Sequence, residues 1–233
     1  MSSFLQNATV VLVHGAWADG SCWQNIILPL RQQGLNVTCA PIPLTSLTDD
    51  MAALQRSLER TAGPVLLTGH AYGGAVIAAP FDDRVKSLVY VAALAPDEGE
   101  TVADMFYRAD PHPDAPRLAP DEHGFIWMPE EGFRHAVAHR APRDQTMIMS
   151  AVQRPIALKC IQEKAPAPAW KTKPSWFFIA EEDRMIDPAT QRFMAARMGA
   201  KVRSYQVDHS PMLTVPDLVV DVILEAARQT LQG

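Results

Sequence analysis

The chain has 233 residues, 48% of them hydrophobic, which is enough for one substantial core, and α/β units of this size are commonly single domains. A net charge of −5, from 21 Lys and Arg against 26 Asp and Glu, leaves no basic stripe to displace counterions from a phosphate backbone, so no nucleic-acid partner is expected. Cys22, Cys39 and Cys160 are odd in number and not spaced as C-x-x-C, which fits free thiols in a reducing compartment better than a disulfide framework or a zinc site.

In chain order, Met1–Asn7 lacks the basic start and apolar stretch of a signal peptide. No apolar run approaches the roughly 18 residues of a membrane span, so the expectation is a soluble, cytoplasmic protein with no membrane partner. Strand-like runs then alternate with helical ones: Thr9–Val13, Cys22–Gln33, Asn36–Ala40, Thr48–Arg60, Val65–Thr68, Gly73–Ala79 and Val85–Val91. Such alternation predicts a mostly parallel sheet of about six strands with helices on both faces. From about 96 to 174 the pattern gives way to Pro, His, Met and charge, with short helical candidates at Thr101–Tyr107, Glu130–Ala138 and Pro142–Gln153. That stretch is too long for a plain loop in a compact domain and reads as an inserted helical lid, leaving 1–95 and 175–233 as the core of one structural domain. Alternation resumes with a strand at Trp176–Ala180, a helix at Pro188–Met198 opened by proline, a strand at Lys201–Val207 and an amphipathic helix at Pro216–Leu231.

The most informative stretch is Val65-Leu-Leu-Thr-Gly-His-Ala-Tyr-Gly-Gly-Ala-Val76. A buried strand, a tight turn and a compact helix follow one another, as in the G-x-S-x-G turn that presents a nucleophilic serine. Gly69 and Gly73 hold the two glycine places, and Ala71 stands where the serine would be. In open parallel sheets active sites collect at the carboxyl ends of the strands. Three further strand exits carry candidate chemistry there. They are His14-Gly-Ala-Trp-Ala-Asp-Gly, the acidic loop Glu181-Glu-Asp-Arg-Met-Ile-Asp187, and Asp208-His-Ser-Pro-Met.

An oxyanion loop, a nucleophile turn, an acid and a histidine in that order resemble the α/β-hydrolase fold superfamily along nearly the whole chain. The resemblance is to its small esterase and hydroxynitrile-lyase branch, which includes plant methylesterases. It implies a Ser, Asp and His triad that works without a cofactor. By position, Asp183 would be the acid, His209 the base, the backbone N–H groups of Ala16 and Tyr72 the oxyanion hole, and Ala71 the nucleophile position. Lyases of this branch carry a threonine after the histidine of the first loop and a lysine after the catalytic histidine. Gly15 and Ser210 stand there, so ester hydrolysis is the expected activity.

Glu181, Glu182 and Asp187 compete with Asp183 for the role of acid, and only family position favours Asp183. His14 and His70 read as hydrogen-bonded packing groups, and His112, His123, His135 and His139 as solvated lid residues; no metal site is expected. Trp17, Phe106, Trp127, Met128 and Met149 are the expected substrate contacts, and they imply a small-molecule substrate with a hydrophobic portion. Retention of Asp183, His209 and the His14 loop around Ala71 points to a serine hydrolase of esters or lactones in which serine has been replaced. The alternatives are a natural pseudoenzyme that binds a small apolar ligand, or a cofactor-free lyase or oxygenase that uses the His–Asp pair as a base. Oligomeric state stays open, a homodimer included.

Overall fold

The computed structural model describes residues 7–231; the Met1–Gln6 part of the stretch read above for a leader lies outside the described residues. The first half builds β1 (Thr9–Val13), α1 (Gln24–Gln32), β2 (Asn36–Cys39), α2 (Leu47–Leu58), β3 (Val65–His70), α3 (Gly73–Ile77) and β4 (Val85–Val91). Then come α4 (Val102–Phe106), β5 (Phe125–Ile126), α5 (Glu130–Gly132), α6 (Arg143–Val152), β6 (Ile156–Ala157) and α7 (Leu158–Gln162). The chain closes with β7 (Ser175–Ala180), α8 (Pro188–Arg197), β8 (Lys201–Tyr205), α9 (Pro211–Thr214) and α10 (Pro216–Thr230).

Six strands form one sheet in the order β2-β1-β3-β4-β7-β8, every neighbour parallel. This is the parallel sheet of six strands expected from the alternation, and it agrees with the α/β-hydrolase fold that the resemblance implies. β1, β3 and β7 are buried along their whole length, whereas the edge strands β2 and β8 are largely exposed. Continuous β-branched and aromatic runs in the buried strands follow from cover on both faces. Val10, Leu12, Trp176 and Phe178 face one layer, packed with Trp23, Ile26, Leu30 and the apolar stripe of α10. Val11, Val13, Phe177 and Ile179 face the other, with α2, α3 and α8. Each such side chain contributes about 1.5–3 kcal/mol by leaving water.

All of residues 96–174 lies between β4 and β7 in the chain, with the two-residue antiparallel pair β5–β6 at its centre. Two expected helices differ in kind. The helix read as Cys22–Gln33 opens with a 3-10 turn at Gly20–Trp23 capped by Asp19. The helix read as Glu130–Ala138 is three residues of α-helix followed by a π turn at Phe133–Val137.

Candidate active site

The turn after β3 is tight because two glycines make it so. A Cβ on Gly69 would lie 2.5 Å from the Gly73 carbonyl oxygen, and one on Gly73 would lie 2.6 Å from that of Val13. Ala71, between them, sits in the left-handed region at φ +49°, a conformation that costs a non-glycine residue of order 1–3 kcal/mol. Its backbone is held on both sides: Ala71 N–H donates to Val91 O at 3.3 Å, and its carbonyl accepts from Gly74 at 3.1 Å and Leu94 at 3.0 Å. The surrounding sheet therefore imposes the strain, and residue 71 lines a cavity of about 210 Å³.

His209, on the loop after β8, lines the same cavity. Its Nδ1 lies 2.7 Å from Asp183 Oδ2, and because a carboxylate accepts only, Nδ1 carries the proton and Nε2 is left as the acceptor. Asp183 is almost wholly buried and is saturated with donors. Met185 and Ile186 N–H groups donate to Oδ1 at 2.8 and 2.9 Å, and Gln191 Nε2 donates to Oδ2 at 2.8 Å. Those donors fix the orientation of the carboxylate and, through it, that of the His209 ring. The competing acids are engaged elsewhere: Glu181 with Arg192 and Ser204, Glu182 with Arg140, and Asp187 as the cap of α8.

His14 and His70 brace this arrangement. His14 is buried and bonded through Nδ1 to Gly15 O at 2.9 Å; burial pushes its pKa down to about 4. His70 Nε2 donates to the backbone carbonyl of His209 at 2.7 Å, tying the nucleophile turn to the histidine loop. Burial first, and the neighbouring His209 second, hold His70 well below the usual imidazole range, so it stays neutral. The loop after β1 passes close to the turn, since a Cβ on Gly15 would lie 2.9 Å from that of Ala71. Ala16 and Tyr72, whose amides the resemblance assigns to the oxyanion hole, both line the cavity.

Of the expected substrate contacts, Trp17, Phe106 and Met149 line the cavity, and Trp127 and Met128 do not. Trp127 is 51% exposed, turned outward by a bond from its Nε1 to Asp121 Oδ2 at 3.1 Å. Met128 is buried against Gly132, where an added Cβ would meet its sulfur at 2.4 Å. Gln191 was not foreseen. It lies fully buried within α8, and a lone glutamine in a helical run carries no sequence signal that it braces a carboxylate eight positions earlier.

A model of the alpha/beta hydrolase family matches residues 10–222. The chain belongs to that family. Among curated proteins it is 31% identical to a carbendazim hydrolyzing esterase of Nocardioides over 119 residues, 45% of this chain and 49% of that one. It is 23% identical to Methylesterase 8 of Arabidopsis thaliana over 93% of this chain and 88% of that one. Among solved structures, a variant of tomato methylketone synthase I complexed with β-ketoheptanoate superposes with a TM-score of 0.82 at 17% identity, covering 96% of this chain and 98% of that one. Relatives within the family thus include proteins named as an esterase and a methylesterase.

Proposed function

We propose that this site hydrolyses carboxylic esters or lactones through an acyl-enzyme when position 71 carries serine, and that the chain with Ala71 binds such substrates but is nearly inactive. The observation that carries the reading is the Asp183–His209 bond of 2.7 Å on a cavity whose floor includes the strained residue 71. A serine hydroxyl there would lose its proton to His209 Nε2 as it attacks the ester carbonyl. The imidazolium, steadied by Asp183, would return that proton to the leaving alcohol, and water activated by the same nitrogen would release the acid. The N–H groups of Ala16 and Tyr72 would receive the tetrahedral oxyanion. Loss of such a nucleophile typically removes about a millionfold of turnover.

Residues 96–174 act in this reading as the cap that shapes the substrate pocket. Phe106, Leu118, Ile126, Met149 and Ile156 come from that segment into the lining, and Asp19 is the single carboxylate there, with no lysine or arginine among the described lining residues. A hydrogen bond from Ser21 keeps Asp19 below the usual carboxylate range. A neutral ester with an apolar portion suits such a wall better than an anionic one.

The absence of a nucleophile beside an intact base favours a second reading, in which His209 and Asp183 abstract a proton with no covalent step. The two separate on one comparison with a short p-nitrophenyl ester. The hydrolase reading expects Ala71→Ser to turn it over at least about 10³-fold faster than the chain as it stands. Rapid turnover of any substrate by the Ala71 chain, unchanged by Ala71→Ser, would establish the base-only reading instead.

A further inference from the structure

Asp50 is fully buried and has no part in the chemistry above, yet donors from three separate segments converge on it. The backbone N–H of Leu44 donates to Oδ1 at 2.7 Å, and the phenol of Tyr72 donates to Oδ2 at 2.6 Å. The thiol of Cys160, on α7 of the inserted segment, donates to the same Oδ2 at 3.6 Å. Leu44 is itself held in the left-handed region at φ +62°, and its carbonyl accepts from Ala157 of β6 at 2.9 Å. One carboxylate thus joins the loop after β2, the inserted segment and the residue that follows the nucleophile position.

An anchor for α2 alone would need only the bond to Leu44. The convergence on Tyr72 does more, because that residue is gripped by its side chain while its backbone amide belongs to the turn facing the cavity. A leucine at 50 would avoid the cost of burying an acid, which raises Asp50 to about 6 in spite of its three bonds.

We propose that Asp50 is a positioning residue: by fixing the Tyr72 phenol it sets the direction of the Tyr72 backbone N–H toward the substrate carbonyl, and it locks the inserted segment to the nucleophile turn. The inference rests on the oxyanion role given to Tyr72 under Proposed function. A donor aimed at developing charge loses most of its effect when displaced by a fraction of an ångström.

Two variants in the Ala71→Ser protein test it. Asp50→Asn keeps an acceptor for Leu44 but removes the charge from the phenol, and Tyr72→Phe removes the phenol while leaving the backbone N–H. Each is expected to lower kcat for p-nitrophenyl butyrate at least about tenfold with KM within about twofold. The double variant is expected to be no worse than the poorer single one, since both cut the same bond. Lowered thermal stability with kcat retained in both single variants would make Asp50 a fold anchor only and overturn the proposal.

A second readout needs no turnover and so separates this inference from the hydrolase reading. In the chain with Ala71, p-nitrophenyl butyrate is expected to shift the Tyr72 amide resonance in a ¹H–¹⁵N spectrum, and Asp50→Asn to reduce that shift at least about twofold. No shift, or an equal shift in both proteins, would overturn the positioning role. Should Ala71→Ser cleave no ester, the hydrolase reading falls and the amide shift alone decides the role of Asp50.

Discussion

The turns at the carboxyl ends of the strands and the segment between β4 and β7 are held in different ways. Around the strand ends, short backbone and side-chain bonds over-determine each group: Ala71 is gripped by three backbone bonds, Asp183 by four donors, and the His209 loop by His70. The inserted segment has helices of three to ten residues and two-residue strands, with Tyr107, Trp127, Met147, Ile148 and Val152 about half exposed. Rigid turns suit chemistry that tolerates no displacement, and an apolar wall assembled from short elements suits selection by shape. On this account the first region sets the reaction and the second sets the substrate.

The sharpest way to break that division is to remove a group from the rigid side. In the Ala71→Ser background, His209→Ala is expected to lower kcat about 10⁴- to 10⁶-fold with little change in thermal stability; steady-state hydrolysis and a melting curve together check it. Asp183→Asn should cost about 10³- to 10⁴-fold, because its amide can donate to Nδ1 and favour the wrong tautomer. Retained activity in either variant would move the chemistry elsewhere in the cavity.

A change on the other side should act differently. Phe106→Ala or Met149→Ala is expected to raise KM for long-chain esters about tenfold and to leave kcat for the acetate ester within about twofold, as measured across a series of acyl lengths. A uniform loss of kcat would show that the inserted segment takes part in the chemical step.

Another effect, on stability and not on turnover, concerns pH. His14 is buried neutral with a folded-state pKa of about 4, below its unfolded value of about 6.5. Below that unfolded value the unfolded chain binds more protons than the folded one, so stability is full above about pH 6.5 and is lost as pH falls toward 4. The loss from His14 is on the order of 3 kcal/mol, and His70, shifted in the same direction, adds to it. Denaturant unfolding at pH 7 and 4.5 should show this slope, and His14→Gln should flatten it. An unchanged slope would mean that His14 is not buried neutral.

The same contrast explains what was legible in the sequence. Val65–His70, Gly69 and Gly73 announce the turn, because strand burial and the close approach of helix to strand each restrict the residue types allowed. Strand alternation likewise foretells the mostly parallel sheet and the strand exits that carry Asp183 and His209. Gln191 and Asp50 act across 8 and 22 positions of chain, and nothing local marks a buried glutamine or aspartate as a bonding partner. Apolar composition of the inserted segment foretells an apolar wall, but its short elements have no long period from which to read the inward face, so Phe106 and Met149 reach the cavity while Trp127 and Met128 do not. The β5–β6 pair is too short to leave an alternating pattern.

The most direct test of the central claim is a rapid-mixing experiment on the Ala71→Ser protein with p-nitrophenyl acetate, followed by mass spectrometry of the quenched chain. The account predicts a burst of about one p-nitrophenol per chain and an acetyl group on residue 71, both absent from the protein with Ala71. Turnover with no burst and no adduct, or equal turnover by the two proteins, would contradict it.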